Sequence, residues 1–253
     1  SDVSALTLGK SGNTANITLD SVITIAGPIS IEGGNINING NLTSTGAVSA
    51  KARGNISQAA GVVITTNGGN LTYWADSNVD ASGGITFAGA ATINTGGGHI
   101  TLAGGAGTTA PTGSAEQIFA SSTSPIVMNT GGGNLLIKTS ASGTLASVHF
   151  AGDVTLDSGI GSLTVEARQT TTDSANAIRA INFLGNTTIR SARPNATAIS
   201  LTGGGGVGRG LFFASGRSHL IESTGTGGNI ILTADSLSSS TLASDLSNAQ
   251  ISA

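Results

Sequence analysis

Apolar and polar residues alternate along this chain in short runs, and each run ends at a corner of Gly, Asn, Ser or Ala. Residues 70–98 show the unit: NLTYWA, then GITFAG, then ATINTGGG. Alternation of period two over so few positions predicts a β-strand with one buried face. Three such strands make one unit, and the unit returns every ~30 residues, a period that marks stacked repeats. The corner that closes it recurs as IEGGNINI at 31–38, ITTNGGNLTY at 64–73, INTGGGHITL at 93–102, VMNTGGGNLLI at 127–137 and IESTGTGGNIIL at 221–232.

Superposing the units gives columns of like residues. One column holds Ile25, Gln58, Phe87, Phe119, Phe150, Phe183 and Phe213, spaced by 29 to 33 residues. Five of its seven members are Phe in a chain with only six, so the spacing is not accidental. A second column is Ile31, Ile64, Ile93, Val127, Leu156, Ile189 and Ile221. A third is Ile36, Leu71, Ile100, Leu135, Leu163, Ile199 and Ile230. These columns predict an all-β chain forming one continuous single-stranded parallel β-helix over residues 1–253, with seven to eight rungs of ~30 residues and three short strands each. At ~4.8 Å per rung the rod is on the order of 35–40 Å long. Glycine pairs are expected to supply corners with positive φ, and the Asn after them to adopt αL or to bond the turn backbone.

The register breaks near 106–125, 170–177, 193–196 and 203–210, which predicts loops projecting at corners, where a scaffold carries function. Both ends of the chain open and close in strand pattern, NAQISA at 248–253 being the last, so continuation or end-to-end self-association is expected.

Composition narrows the function classes. Thirty-nine glycines and 9% charged residues are unusual, but 38% hydrophobic residues in alternation indicate a folded, turn-rich β protein. A net charge of −3, with ten scattered basic residues, gives no nucleic-acid footprint, and no 18-residue apolar stretch predicts membrane insertion. The lack of Cys excludes disulfides and thiolate metal sites.

No constellation of catalytic residues stands out, and no cofactor or metal site is predicted. Gly203, Gly205 and Gly208 fit a dinucleotide fingerprint, but the Phe strand of the next rung follows where a helix is required. Asp153 and Asp157 would lie ~13 Å apart on one strand face, too far for a paired-carboxylate glycosidase. Asp76 and Asp80 share that spacing and are read as turn caps. Arg168, Arg179, Arg190 and Arg193 are the basic residues that would complete an enzyme site with Asp153 and Asp157. His99, His149 and His219 fall in different columns, which disfavours a metal site. Trp74, next to inward-facing Tyr73, is predicted to face outward as a contact for a sugar or a partner. Outward Thr86, Thr92, Thr101, Thr155, Thr164 and Thr188 raise an ice- or mineral-binding face, without a regular T-x-T array. Six sequons, at Asn16, Asn41, Asn55, Asn70, Asn186 and Asn195, are candidate glycosylation sites, although the rung pattern itself writes turn-Asn, apolar, Thr.

The lines GGNINI, GGNLTY, GGGNLLI and GGNIILTAD resemble the repeats of the filamentous haemagglutinin family, the large exoproteins of bacterial two-partner secretion, and related autotransporter passengers. The resemblance covers nearly the whole chain and is one of repeat style. It implies a right-handed β-helix exported through an outer-membrane partner pore to the bacterial cell surface. The implied roles are adhesion to glycans or proteins of a host, neighbouring cell or matrix, biofilm or filament shaft, or the stalk of a contact-dependent inhibition toxin. The family's secretion-module motifs NPNL and NPNG are not present, which points to the shaft. The leading expectation is a non-catalytic structural and adhesive rod. The alternative is a polysaccharide lyase or glycoside hydrolase on the same kind of helix.

Overall fold

In a computed structural model, residues 3–108, 110–121, 125–142, 146–170, 179–205 and 210–234 and the backbone of 249–252 are described. They form three parallel sheets of nine, eight and nine strands, and each strand pairs with its counterpart one turn later. The chain is therefore a parallel β-helix of about eight rungs. The first sheet runs from Leu6–Gly9 to Asn229–Ala234, the second from Ile17–Leu19 to Leu211–Phe213, and the third from Ile23–Ile25 to Ala249–Ser252. Parallel pairing in all three walls satisfies the strand backbone along the axis. Inward residues of all three sheets merge into a single core. Among the described residues no helix is long and apolar enough to cross a membrane.

Two columns read from the sequence hold over most of their length. Leu71, Ile100, Leu135, Leu163, Ile199 and Ile230 stack one on another in the first sheet, with a register shift between Thr197 and Ile199 in the last pairing. Ile64 and Ile93, then Leu156, Ile189 and Ile221, stack in the third. The rest is corrected by rung length and by pleat. Ile17, Ile36 and Ile56 stack in the second sheet at spacings of only 19 and 20 residues, so the ~30-residue period starts later. As a result Ile25 lies in the third sheet, Ile31 in the first and Ile36 in the second. Phe119 faces outward, because Ile118 pairs with Ile85 and Ala120 takes the inner place above Phe87. Val127 is likewise outward, and Met128 stacks on Ile93. A slip of one residue moves a side chain to the opposite face.

The third-to-first-sheet corners show what the glycine lines do. The leading glycines carry the positive φ that the pattern predicts, as at Gly131 (66°) and Gly132 (134°). The last glycine of each line does not. Gly69, Gly98, Gly133 and Gly161 are stacked so closely that a Cβ on one would overlap the carbonyl of the glycine one rung below. Beside them runs a column of buried hydroxyls: Ser44, Thr66, Thr95, Thr130, Ser158 and Ser191. The Thr130 hydroxyl sits 2.6 Å from the Gly133 carbonyl and 2.9 Å from that of Ser158, tying the corner to itself and to the next rung.

The asparagine after the glycines is not in the αL region, and it bonds across rungs rather than within the turn. Asn70 Oδ1 accepts the N–H of His99 at 2.8 Å, His99 Nδ1 that of Asn134 at 2.8 Å, and Asn134 Oδ1 that of Ser162 at 2.9 Å. A second ladder links Asn16, Asn35, Asn55 and Gly84. A third places Asn41 on Val63, and Asp153 below Asn186 below Ser218.

Candidate functional site

The first sheet widens in its later half. Its strands Leu71–Ala75 and Ile100–Gly104 have five residues, whereas Leu135–Ala141 and Leu163–Gln169 have seven and Thr197–Gly204 has eight. The sequence continues its alternation through LLIKTSA and LTVEARQ, so the extra residues stay in strand with Lys138, Ser140, Glu166 and Arg168 facing outward.

The 106–125 insertion closes one side of this widened face. It was expected to project; instead it folds back, with Gly113 N–H donating to Gly104 O at 2.8 Å. Ala115 then pairs with Thr139 as an added piece of parallel strand. Residues 109 and 122–124 of that insertion lie outside the described residues. The result is a groove of about 580 Å³ lined by Ser114, Lys138, Ser140, Glu166, Arg168 and Thr202, with Gly204 and Gly205 at one edge. Lys138 Nζ is 3.7 Å from Glu166 Oε2, an exposed pair of little energetic weight. Arg168 is exposed and forms no ion pair among the described residues. Its Cγ lies 3.2 Å from where a Cβ on Gly205 would stand, so the glycine leaves room for the aliphatic stem of Arg168.

Trp74 was expected to be an exposed contact, and the same loop removes it from the surface. The indole is outward of the sheet but only 2% exposed, its Nε1–H donating to Gly105 O at 2.6 Å. Lys51 Nζ sits 4.3 Å from the ring centroid. Tyr73 faces inward as predicted, fully buried, donating to Gln58 Oε1 at 2.9 Å; burial pushes its phenol pKa up.

The candidate enzyme residues do not converge. Asp153 sits at a corner bonded to Asn186, and Asp157 and Arg190 pair side by side on the third sheet. Arg168 is on the first sheet, and Arg179 lies beside Asn182 of the second. Arg190 is held by Glu222, Nε to Oε2 at 2.8 Å. Asp76 does cap a turn, its Oδ1 accepting the Asp80 N–H at 3.0 Å, whereas Asp80 Oδ2 accepts from the Asn78 side-chain amide. Among the described residues no three His, Asp or Glu form a group able to hold a metal. The six outward Thr residues are spread over three faces: Thr86 on the second sheet, Thr101 and Thr164 on the first, Thr92, Thr155 and Thr188 on the third.

Five of the six sequon asparagines, Asn16, Asn41, Asn55, Asn70 and Asn186, spend Oδ1 in the inter-rung ladders. Asn186 also uses Nδ2, which donates to Asp153 Oδ2 at 3.3 Å. Asn195, in the 193–196 irregularity, is exposed with φ 52° and is held by its backbone N–H to Thr226 O. Residues 171–177 of the 170–177 irregularity, and 206–209 of the glycine run with Gly208, lie outside the described residues.

The outer face of the second sheet carries a polar–aromatic column. Phe119 stacks on His149 at 5.3 Å, His149 meets Asn182, and Arg179 lies 3.4 Å over Phe212. The stacked rings cover each other's faces, so this column stabilises the wall rather than offering a platform. His149 is half-buried, and burial first, with the charge of Arg179 second, holds its pKa below the usual imidazole value. The unfolded chain therefore binds a proton that the folded chain resists. Stability is expected to be full above about pH 6.5 and to fall as pH drops through that value. The melting temperature of wild type minus that of His149→Gln should decline between pH 7.5 and 5.5; a constant difference would refute this.

Comparison of the chain with protein-family models, curated proteins and solved structures finds no match in any of the three.

Proposed function

We propose that this chain is part of the shaft of a secreted, non-catalytic rod on a bacterial cell surface, of the filamentous haemagglutinin type. In this reading it is exported through an outer-membrane pore and presents its grooved face to glycans or proteins of a host, neighbouring cell or matrix. The observation that carries it is where the polar side chains are used: Asn, Asp, His, Ser and Thr that could serve chemistry are tied into rung-to-rung ladders at the corners. Such a molecule invests its polar groups in a stiff shaft, and repeat solenoids offer extended surfaces for binding. A toxin stalk would use the same shaft.

Leu6, Leu8 and Ile17 of the first rung are only partly covered, and either further rungs or a second copy is proposed to stack on them. Light scattering across a concentration series is expected to show growing mass; a constant monomer mass refutes association.

The reading is tested by coating beads with the protein and measuring attachment to bacterial and epithelial cells, alongside reducing-end and unsaturated-product assays on a polysaccharide panel. Attachment without product is expected. Product release that Asp153→Asn or Asp157→Asn abolishes would replace the rod with the polysaccharide-cleaving enzyme.

A further inference from the structure

We infer that the groove on the widened first sheet binds an acidic, carboxylate-bearing glycan chain, with Arg168 holding the carboxylate. This inference rests on the adhesive reading and names the ligand class for its face.

The charge arrangement sets the requirement. Lys138 and Glu166 neutralise one another at 3.7 Å, which leaves the guanidinium of Arg168 as the uncompensated charge of the groove among the described residues. A planar guanidinium matches a carboxylate through two parallel N–H···O bonds, and such bonds are the strong ones. Gly204, the strand partner of Arg168 one rung on, puts no side chain beside it, while the aliphatic stem lies along Gly205. The stem is thereby braced and the charged end faces the groove.

The floor decides between glycan and peptide. An extended acidic peptide would bind through a free strand edge, by main-chain hydrogen bonds. Here the strands under the groove, Leu135–Ala141 and Leu163–Gln169, are paired on both sides, and the loop at Ala115 occupies the edge next to Thr139. Among the described residues no backbone edge is left for a peptide in the groove. What the floor does present is hydroxyls: Ser114 in the loop beside the Ala115–Thr139 bridge, and Ser140 and Thr202 on strands two rungs apart. With rungs at ~4.8 Å, Ser140 and Thr202 are about 10 Å apart along the axis, comparable to two residues of an extended sugar chain lying along it. Glu166 limits affinity, because its carboxylate faces the same ligand.

The test uses isothermal titration of the whole chain with a polyuronate oligomer. Its fully methyl-esterified form, a sulfated oligosaccharide and poly-glutamate are the comparison probes. The polyuronate is expected to bind, and esterification or Arg168→Gln to weaken binding about tenfold or more. Thr202→Val should cost a few-fold, and Glu166→Gln should tighten binding a few-fold by removing a like charge. Arg217→Gln, at an exposed site outside the groove, serves as the control for general charge. Far-UV circular dichroism and melting confirm that each variant is folded. Equal binding of the ester, equal or tighter binding of the sulfated or peptide probe, an unaffected Arg168→Gln, or no binding at all would each overturn the inference. Bead attachment is measured on the same variants. If Arg168→Gln still attaches like wild type, the groove inference falls and the adhesive reading stands; if wild type does not attach, the adhesive reading falls.

Discussion

Gly133→Ala is expected to cost about 3 kcal/mol or more, whereas Gly132→Ala next to it should cost about 1–2 kcal/mol. The two glycines are there for different reasons. Gly132 has φ 134°, and a Cβ on it would meet only the side chain of Ile160, at 3.4 Å. Its alanine variant is therefore strained in backbone but not crowded. Gly133 has ordinary φ, yet its Cβ would overlap the Gly98 carbonyl, which is backbone and cannot swing aside. Moving the corner would also disturb Thr130, whose hydroxyl caps Gly133 O, and the strand Leu135–Ala141, paired on both sides. Urea unfolding of both variants, followed by circular dichroism, decides the matter. Equal costs would show that φ alone, rather than close stacking, selects the last glycine of the line.

That difference between neighbouring glycines was not legible in the sequence, while the architecture was. Period-two alternation and a repeat near 30 residues are local signals, and they sufficed to predict a three-walled parallel helix. Register was harder, for a physical reason. Strands of three consecutive apolar residues, such as Ile118–Ala120, can be threaded with either face inward. Only the partner one rung away decides, as Ile85 does for Ile118. The first rungs were misaligned because their corners are too short for the long period.

The groove was half legible. Seven-residue alternation in LLIKTSA and LTVEARQ announces strands longer than elsewhere, with Lys138, Ser140, Glu166 and Arg168 on one face. Of these only Arg168 stood out in the sequence, and it was grouped with Asp153 and Asp157, which lie on other walls. Trp74 shows the opposite failure. Alternation correctly turns it outward, but nothing local reveals that a loop thirty residues later covers it. Similarly, the corner asparagines look like turn formers or sequons until their partners one rung up are known.

Phe183→Ala is expected to lower the unfolding free energy by about 3–5 kcal/mol, more than any other change of a single inward side chain in the second sheet. Phe183 is fully buried between Phe150, at 5.6 Å and 8° between ring planes, and Phe213, at 5.1 Å and 13°. Its removal leaves a cavity and two unstacked ring faces. Neighbouring rungs cannot collapse into the gap, because their strands are held at a fixed spacing by pairing on both sides. The ladder is not continuous, since Ala120 stands between Phe87 and Phe150. Energetic coupling should follow that break. Phe183→Ala and Phe213→Ala share one stack and should combine with a departure from additivity of about 0.5 kcal/mol or more. Phe183→Ala and Phe87→Ala lie in different stacks, and their costs should add. Because solenoid stability is close to a sum of rungs and their interfaces, unfolding can begin locally, and each pair is best read by hydrogen exchange of the strand Ile181–Phe183. Coupling of Phe87 to Phe183 as strong as that of Phe213 would mean that the core responds as a whole rather than rung by rung.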